Sequence, residues 1–576
     1  MQRRHVPVLI HPLQWSFYAL VLLLPEFWLS LSHPWWRLPV GIAVNAVDYM
    51  VLSWCVCTLF AVFGRLRHWI ETFLHIAMHM LVVLFSVGNL LLLMLFHRHW
   101  DAFTLQLVRE TNRREAVEFI KVYLCDFRSV LMGIAVLLVV VCYVWLVRRT
   151  KAVRCLPQKP LLKWTMLACV AAVLSQACFF TGDAEENYRR AAGLPVKCNA
   201  LFVLHQSVLQ MKGFEDENNL CAQTLRQYEE KDSCESDLQY LVLVIGESFN
   251  RHHSSLYGYA LPTNPLLGKL RDEGSLFVFD DVIAPINNTT LCFKQFLSMA
   301  SVTDTLAWNE APLFPAIMKR VGWNVVYYSN QFSDGEELKE WNASMGFVNH
   351  PRIAPYLFHH RNHRTYTYDM ELVDDYIRHR DELEADNRNL IIFHLLGQHV
   401  SFNRRYPEDE GCFTGDDINR PDLSDSQREV IAGYDNATLY NDKVVDRIVR
   451  MFEHGNTVVI YFPDHGEEVY DYRNQVGRSD LAADSAPETL RNQLDIPFMI
   501  YLSPQYARQH PDLPGRIGPA CRKPFMTDDV SHLMLDMAGI RSRWLDVEKS
   551  PLSPSYPTER HRHLMLTGLD YDSLMQ

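Results

Sequence analysis

Residues 457–468 form an apolar run that ends in a carboxylate, an imidazole and a glycine: Asp464, His465 and Gly466. The run is short and rich in β-branched and aromatic residues, which predicts a buried strand. In open α/β sheets, ligand-binding groups gather where such strands end. A carboxylate oxygen and an imidazole nitrogen suit zinc, so the motif predicts half of a zinc site. Taken alone, it is equally compatible with a polar turn.

Three other strand candidates end in polar groups of the same kind. Because the carboxyl ends of neighbouring parallel strands meet at one edge of a sheet, four such ends in one domain favour a shared cleft. Glu247 supplies a further carboxylate for the metal site. The strand candidates and their polar ends are 241–245 with Glu247 and Ser248, 323–328 with Ser329 and Asn330, and 390–396 with Gln398 and His399.

The turn that contains Thr289 and Thr290 leads into a helical pattern over 293–300. A threonine at a helix amino terminus commonly caps the helix. The same position also favours a phosphate, because backbone N–H groups and the helix dipole point at it. A threonine hydroxyl bound to zinc could lose its proton and attack phosphorus.

The elements that must position these residues form two unlike halves. From residue 239 onward strands and helices alternate, which predicts an α/β fold. A helical pattern over 427–453 should pack behind the 458 strand. Residues 181–238 are charged and irregular, with helical runs at 200–211 and 221–230, and are predicted to form a bridging segment.

Residues 1–180 are predicted to form a transmembrane domain, because five stretches are each long and apolar enough to cross a bilayer. Basic residues in the loops after the second and fourth stretches predict that these loops are cytoplasmic. The chain after residue 181 then lies on the opposite face, together with the loop 97–129. The five stretches are 13–32, 45–64, 73–96, 130–147 and 162–180.

The formal charge of -12 argues against a nucleic-acid partner, which would require a basic surface. Outside the cytoplasm, the six cysteines after residue 181 could form up to three disulfides, or could remain buried and free. These residues are Cys198, Cys221, Cys234, Cys292, Cys412 and Cys521.

The ordered set of motifs resembles the phosphoethanolamine transferases of bacterial inner membranes, which belong to the sulfatase and alkaline phosphatase superfamily. The resemblance covers essentially the whole chain and implies five transmembrane helices followed by a periplasmic α/β domain, residues 239–576. The motifs are Gly246-Glu247-Ser248, Leu256-Tyr257-Gly258-Tyr259 with Thr263 and Pro265, the threonine turn, His394-Leu395-Leu396-Gly397-Gln398-His399 and Asp464-His465-Gly466-Glu467-Glu468.

The resemblance also implies roles for single residues. Glu247, Thr289, Asp464 and His465 match the family's zinc ligands, and Thr289 doubles as the nucleophile. Thr290 is the competing threonine, and the spacing to Ser298 favours Thr289. His399 matches a histidine beside the transferred phosphoryl group, and the substrate-contacting residues carried over are Asn112, Glu115 and Ser333.

The implied reaction has two steps. Phosphatidylethanolamine donates phosphoethanolamine to zinc-activated Thr289, and the phosphothreonine is then attacked by a cell-envelope glycoconjugate such as lipid A, core lipopolysaccharide or another periplasmic glycan. The implied location is the bacterial inner membrane.

One departure from the family concerns a histidine that many members carry shortly before the Ile-Pro of residues 496–497. Residues 489–497 contain none, which argues against a second zinc. Arg491 lies in this segment and is either a phosphate ligand or an exposed surface residue.

Two other functions remain open on sequence. A phosphoglycerol transferase of the same superfamily would also join five transmembrane helices to a metal and threonine site. A non-catalytic membrane scaffold or sensor would keep the fold without the reaction, and retention of all four zinc-site residues argues against it.

Overall fold

The computed structural model divides into two compact units, residues 1–214 and 215–576. The predicted domain boundaries after residues 180 and 238 stay predictions. The structure describes residues 9–10, 12–32, 53, 68–96, 100, 104, 120, 127–149, 153–154, 163–164, 167, 187, 200–229, 231–331, 347–385, 387–479, 481 and 485–576.

Three long helices among the described residues of the first unit cover three of the predicted membrane stretches: α1 (Pro12–Ser32), α2 (His68–Phe96) and α3 (Phe127–Arg149). The stretches 45–64 and 162–180 lie almost entirely outside the described residues, so the number of crossings stays a prediction. In the parts of the chain that the structure describes, no helix combines the length and apolarity that a bilayer crossing needs. Two short strands, β1 (Leu9–Ile10) and β2 (Val153–Arg154), pair antiparallel.

The helices of the first unit carry large apolar side chains on their surface and a polar network inside. Leu20, Phe73 and Leu138 are each more than 60% exposed. Between the helices, the Tyr18 hydroxyl lies 2.9 Å from His79 Nδ1, and His79 Nε2 lies 2.9 Å from the Tyr143 hydroxyl. The described part of the first unit thus exposes large apolar side chains and holds polar contacts between its helices, beside buried apolar residues such as Phe17 and Leu93.

Helix α4 (Ala200–Gln227) is one continuous element where the sequence predicted two runs, at 200–211 and 221–230. The remaining α-helices are α5 (Pro265–Asp272), α6 (Thr289–Leu297), α7 (Phe314–Arg320), α8 (Ala354–Leu357), α9 (Asp369–Leu383), α10 (Asp425–Met451), α11 (Pro487–Leu494), α12 (Pro504–Gln509), α13 (Leu513–Ala520), α14 (Val530–Met537) and α15 (Tyr571–Leu574). Short 3₁₀ turns occur at Arg251–His253, Ser255–Tyr257, Phe402–Arg404, Glu408–Glu410, Gly415–Asp417, Thr527–Asp529 and Val547–Lys549.

The second unit is built on a seven-stranded sheet whose order is β5-β11-β10-β4-β9-β7-β8. The five strands from β10 to β8 run parallel, and β11 and β5 continue the sheet antiparallel. The strands of the unit are β3 (Ser233–Cys234), β4 (Tyr240–Gly246), β5 (Leu276–Phe279), β6 (Val282–Ile283), β7 (Asn324–Ser329), β8 (His360–Arg361), β9 (Asn389–His394), β10 (Thr457–Pro463), β11 (Phe498–Leu502), β12 (Phe525–Met526) and β13 (Ile540–Arg541).

The four strands predicted from their polar ends are the four neighbours β10, β4, β9 and β7, which confirms a shared edge. Nearly every residue of these four strands is buried, because helices cover both faces of the sheet. Along β4, Leu241 and Leu243 face one core with α6 and α14, whereas Val242 and Val244 face the other with α9 and α10. The sheet is therefore the middle layer of an α/β sandwich.

Helix α10 confirms the pattern predicted over 427–453. It begins with a capping box, because the Ser424 side chain accepts the Gln427 N–H and the Gln427 side chain accepts the Ser424 N–H. The described cysteines of the second half, Cys221, Cys234, Cys292, Cys412 and Cys521, are free thiols, and Cys198 lies outside the described residues.

Candidate metal centre

The structure brings Glu247, Asp464 and His465 together at the carboxyl edge of the sheet. Their ligand atoms lie within 4.8 Å of one another, and all three side chains are fully buried. His465 Nε2 lies 3.1 Å from Asp464 Oδ2 and 3.7 Å from Glu247 Oε1. The two carboxylates meet because β4 and β10 are parallel neighbours with Gly246 opposite Pro463.

Thr289 stands beside this cluster at the first position of α6. Its hydroxyl oxygen lies 3.4 Å from Glu247 Oε2 and 3.4 Å from His465 Nε2. Asn288, and not a threonine, caps the helix, because its side chain accepts the Leu291 N–H at 3.0 Å. The Thr289 hydroxyl is therefore not needed for capping and faces the site.

The loop after β4 holds Glu247 in place. Ser248 has a left-handed backbone (φ 54°), and its N–H donates to Asp464 Oδ1 at 3.1 Å while its hydroxyl donates to Glu247 Oε1 at 2.8 Å. Gly397 approaches from β9 with φ 49°, and a Cβ there would lie 2.9 Å from the Glu247 backbone. Only glycine fits this contact.

Burial and mutual repulsion give the two carboxylates different proton affinities. Burial, with the nearby Asp464 charge, raises the pKa of Glu247 to about 7. Burial would also raise the pKa of Asp464, but His465 and several hydrogen bonds outweigh it and hold that pKa below its usual range. The pair thus concentrates negative charge in a buried place, which a bound cation would stabilise.

The donor set fits zinc. His465 Nδ1 lies 2.9 Å from the Gly466 carbonyl, so Nδ1 carries the proton and Nε2 presents its lone pair. Asp464 Oδ2, 3.1 Å away, is buried and has no hydrogen-bond partner among the described residues. Two acceptors that face each other at this distance are typical of a metal site.

His399 lies beside the same cluster. The residue as a whole is partly exposed, and its buried Nδ1 has no hydrogen-bond partner among the described residues. Burial, with the positive charges of Arg405 and Arg478, lowers the pKa of His399 to about 3. The imidazole is therefore neutral at neutral pH, and its ring nitrogens are weakly basic.

The other predicted site residues have different outcomes. Asn112, Glu115 and Ser333 lie outside the described residues, so their roles stay predictions. Arg491 is exposed on α11, in agreement with the surface alternative.

Sequence reasoning missed two side chains at the site. Gln331 donates to Glu247 Oε2 at 2.8 Å and to the Leu395 carbonyl at 2.9 Å, and it directly follows the predicted strand end at Ser329 and Asn330. Its position directly after a predicted strand end could have identified Gln331 as a site residue. Arg478 reaches His465 Nε2 from an irregular loop, and no local pattern marks it.

The family model for sulfatases matches residues 239–540, more than half of the chain. The chain belongs to the sulfatase family. The match begins at the strand that carries Glu247 and includes all four predicted zinc-site residues.

Curated proteins that are similar to this chain include transferases. Phosphoethanolamine transferase EptC of Escherichia coli is 30% identical over 337 residues, which cover 57% of this chain and 55% of that protein. The Kdo(2)-lipid A phosphoethanolamine 7''-transferase of E. coli is 25% identical over 283 residues, 47% and 45% of the two chains. The chain thus spans about half the length of the curated relatives it matches.

Two solved structures share the fold. The C-terminal periplasmic domain of E. coli EptC in complex with Zn is 27% identical, with a TM-score of 0.52 over 60% of this chain and 95% of that one. The integral membrane protein EptA of Neisseria meningitidis, a lipooligosaccharide phosphoethanolamine transferase, is 16% identical, with a TM-score of 0.63 over 94% and 98%.

A buried ion cluster behind the site should make stability depend on pH. His253 Nδ1 lies 2.7 Å from Asp435 Oδ1, and Nε2 lies 3.0 Å from Asp471 Oδ1. Burial would lower the pKa of His253, but the two carboxylates outweigh it and raise the pKa to about 10. Because the pKa of His253 in the folded protein exceeds its ordinary value, protonated His253 stabilises the fold fully below about pH 6.5. This contribution to the free energy of unfolding, at most roughly 5 kcal/mol, is lost as the pH rises through 10.

The difference in melting temperature between the wild type and His253→Gln, followed from pH 6 to 10, isolates this contribution from other titrations. We expect the difference to shrink as pH rises, since glutamine cannot carry the charge. Parallel melting profiles would show that His253 does not titrate as the structure indicates.

Proposed function

We propose that the protein transfers phosphoethanolamine from phosphatidylethanolamine to a cell-envelope glycoconjugate. The observation that carries this proposal is the Thr289 hydroxyl, 3.4 Å from both Glu247 and His465 at the amino terminus of α6. A hydroxyl beside a metal donor set, on a helix end that favours phosphate, suits attack on phosphorus. The relatives named as phosphoethanolamine transferases support the choice of headgroup.

In this proposal Glu247, Asp464, His465 and Thr289 would hold one zinc ion. When bound there, zinc would draw electron density from the threonine hydroxyl and lower its pKa. The bond-making and proton-transfer steps of the reaction are carried out by Thr289 and the side chains around it.

In the first step the Thr289 oxygen attacks the phosphorus of the donor lipid and loses its proton. The new oxygen–phosphorus bond forms as the bond to diacylglycerol breaks, and the departing oxygen is protonated. In the second step an acceptor hydroxyl or phosphate attacks the phosphothreonine, and the Thr289 oxygen leaves and regains a proton. The proton that an acceptor hydroxyl loses balances the one that the Thr289 oxygen regains, and neutral His399 would hydrogen-bond the reacting groups at this step.

The donor implies a membrane location, and we infer that the protein resides in the bacterial inner membrane with its sulfatase-like unit in the periplasm. The five apolar stretches and the loop charges support this placement. The exposed Leu20, Phe73 and Leu138 side chains on the helices of the first unit add to this support. Asn112 and Glu115 fall in the loop predicted to share the periplasmic face, where they could contact the donor headgroup, and Ser333 stays a candidate contact to the substrate.

The function is tested by comparing envelope glycoconjugates from strains with and without the gene by mass spectrometry. We expect a phosphoethanolamine mass increment only when the gene is present, with diacylglycerol as the lipid product on thin-layer analysis. A phosphoglycerol increment with consumption of phosphatidylglycerol would establish the rival transferase. No change in glycoconjugates or lipids would favour a non-catalytic scaffold.

A further inference from the structure

The loop that follows Glu468 carries Arg478 to the edge of the candidate metal centre. Glu468 closes this loop, because its carboxylate accepts the N–H groups of Tyr472 and Arg473 at 2.9 and 3.2 Å. Its backbone carbonyl accepts the Gly477 N–H at 3.0 Å. Gly477 has φ 106°, a backbone that turns the chain back toward the sheet edge.

The loop is also tied to the turn that bears the nucleophile. Asn287, two residues before Thr289, donates to the Ser479 carbonyl at 2.7 Å and to Gln493 Oε1 at 2.6 Å. Gln493 Oε1 also accepts the Ser479 N–H at 2.9 Å. Arg478 itself donates to the Asn287 carbonyl at 3.3 Å. These contacts fix the position of Arg478 relative to Thr289.

The guanidinium reaches the reacting region. Arg478 Nη1 lies 2.6 Å from His465 Nε2, and Thr289 Oγ1 lies 3.4 Å from the same nitrogen. The guanidinium nitrogen and the nucleophilic oxygen therefore lie within about 6 Å of each other, the most that these two distances allow. A phosphoryl group attached to the Thr289 oxygen can extend an oxygen across such a gap to the guanidinium.

The chemistry of the guanidinium suits this role. Arginine stays charged at every working pH, and its planar fork of N–H groups matches phosphate oxygens. Arg478 Nε lies 3.7 Å from Glu467 Oε2, which orients the fork, and 30% of its side chain is exposed. A metal and an N–H group cannot share the lone pair of His465 Nε2, so with a metal bound the N–H that points at His465 would turn to another acceptor, while Nη1 also lies 3.3 Å from the Asn287 carbonyl.

We propose that Arg478 is a further phosphate-binding residue, whose guanidinium holds the phosphoryl oxygens of the donor and of the phosphothreonine. The identity of that phosphoryl group rests on the proposed function. The proposal gives the site a fixed cation, whereas residues 489–497 contain no histidine. Arg491, the alternative in that segment, is exposed on α11.

The test measures the affinity of the full-length, zinc-loaded chain for inorganic phosphate by calorimetry, alongside its zinc content. We expect Arg478→Ala to weaken phosphate binding about ten- to a hundredfold, because charge-assisted hydrogen bonds are lost. The phosphate affinity of Arg478→Lys should lie between those of the wild type and Arg478→Ala, because lysine keeps the charge but lacks the planar fork of N–H groups. Arg491→Ala is the matched control and should bind phosphate as the wild type does. Zinc content should be unchanged in all variants.

Two results would overturn the proposal. In one, Arg478→Ala binds phosphate within twofold of the wild type. In the other, zinc and phosphate are lost together, which would mean that Arg478 supports the metal ligands instead of the phosphoryl group. The donor is examined separately, by labelling the wild type with labelled phosphatidylethanolamine. An unlabelled wild type whose phosphate binding still depends on Arg478 would refute the proposed donor and leave the role of Arg478 standing.

Discussion

Replacing Thr289 by alanine is expected to abolish covalent labelling of the protein by labelled phosphatidylethanolamine and to lower transfer on the order of a thousandfold or more. The expectation follows from the position of its hydroxyl, 3.4 Å from both Glu247 Oε2 and His465 Nε2. Removing the attacking oxygen leaves no atom to form the phosphothreonine. The label is measured on the denatured, full-length chain, so that only a covalent bond is counted.

Two matched variants make this result specific. Thr290→Ala removes the competing hydroxyl one residue along α6 and should keep the label. Thr289→Ser restores a hydroxyl at the same position and should recover part of it. Full labelling of Thr289→Ala, or loss of the label in Thr290→Ala alone, would transfer the nucleophile assignment to another residue.

The second large effect concerns zinc. The wild type should contain about one zinc per chain, and His465→Ala should lose it, with affinity lowered by more than about a hundredfold. His465 Nε2 lies 3.1 Å from Asp464 Oδ2 and 3.7 Å from Glu247 Oε1, so its removal deletes the only nitrogen donor of the proposed ligand set. Metal content is measured by mass spectrometry after dialysis against a weak chelator.

A surface histidine supplies the control for this experiment. The His454 side chain is 94% exposed, and His454→Ala should keep both zinc and activity. Stoichiometric zinc in His465→Ala would contradict the proposed ligand set. A wild type purified without any zinc, and inactive after zinc is added, would instead support the scaffold alternative.

The sequence was most informative where local pattern and fold geometry coincide. Each strand candidate was a short apolar run, and parallel neighbours necessarily bring their carboxyl ends together. Glu247, Asp464 and His465 could therefore be placed at one edge before the structure was known. Thr289 needed the family resemblance, because a threonine before a helix is more often a cap, and only the structure shows that Asn288 does the capping.

Contacts made by irregular loops were not predictable. Arg478 lies in a loop whose shape depends on contacts with Glu468, Asn287 and Gln493. No helix or strand periodicity in the sequence links these three residues to Arg478. Helix α4 was predicted as two runs because charged residues interrupt its apolar spacing. Tertiary contacts such as the ion pair of Glu217 with Lys294 on α6, at 2.6 Å, hold it as one element.

The order of strands in the sheet has a consequence for the synthesis and folding of the protein. Strand β4 is synthesised more than 200 residues before β10, yet the two pair directly and carry opposite halves of the metal centre. A nascent or truncated chain that ends between residues 290 and 456 contains Glu247 and Thr289 but lacks Asp464 and His465. On the proposed function, a metal could bind only after β10 has paired with β4, so an unfinished chain would not display a threonine activated by a metal.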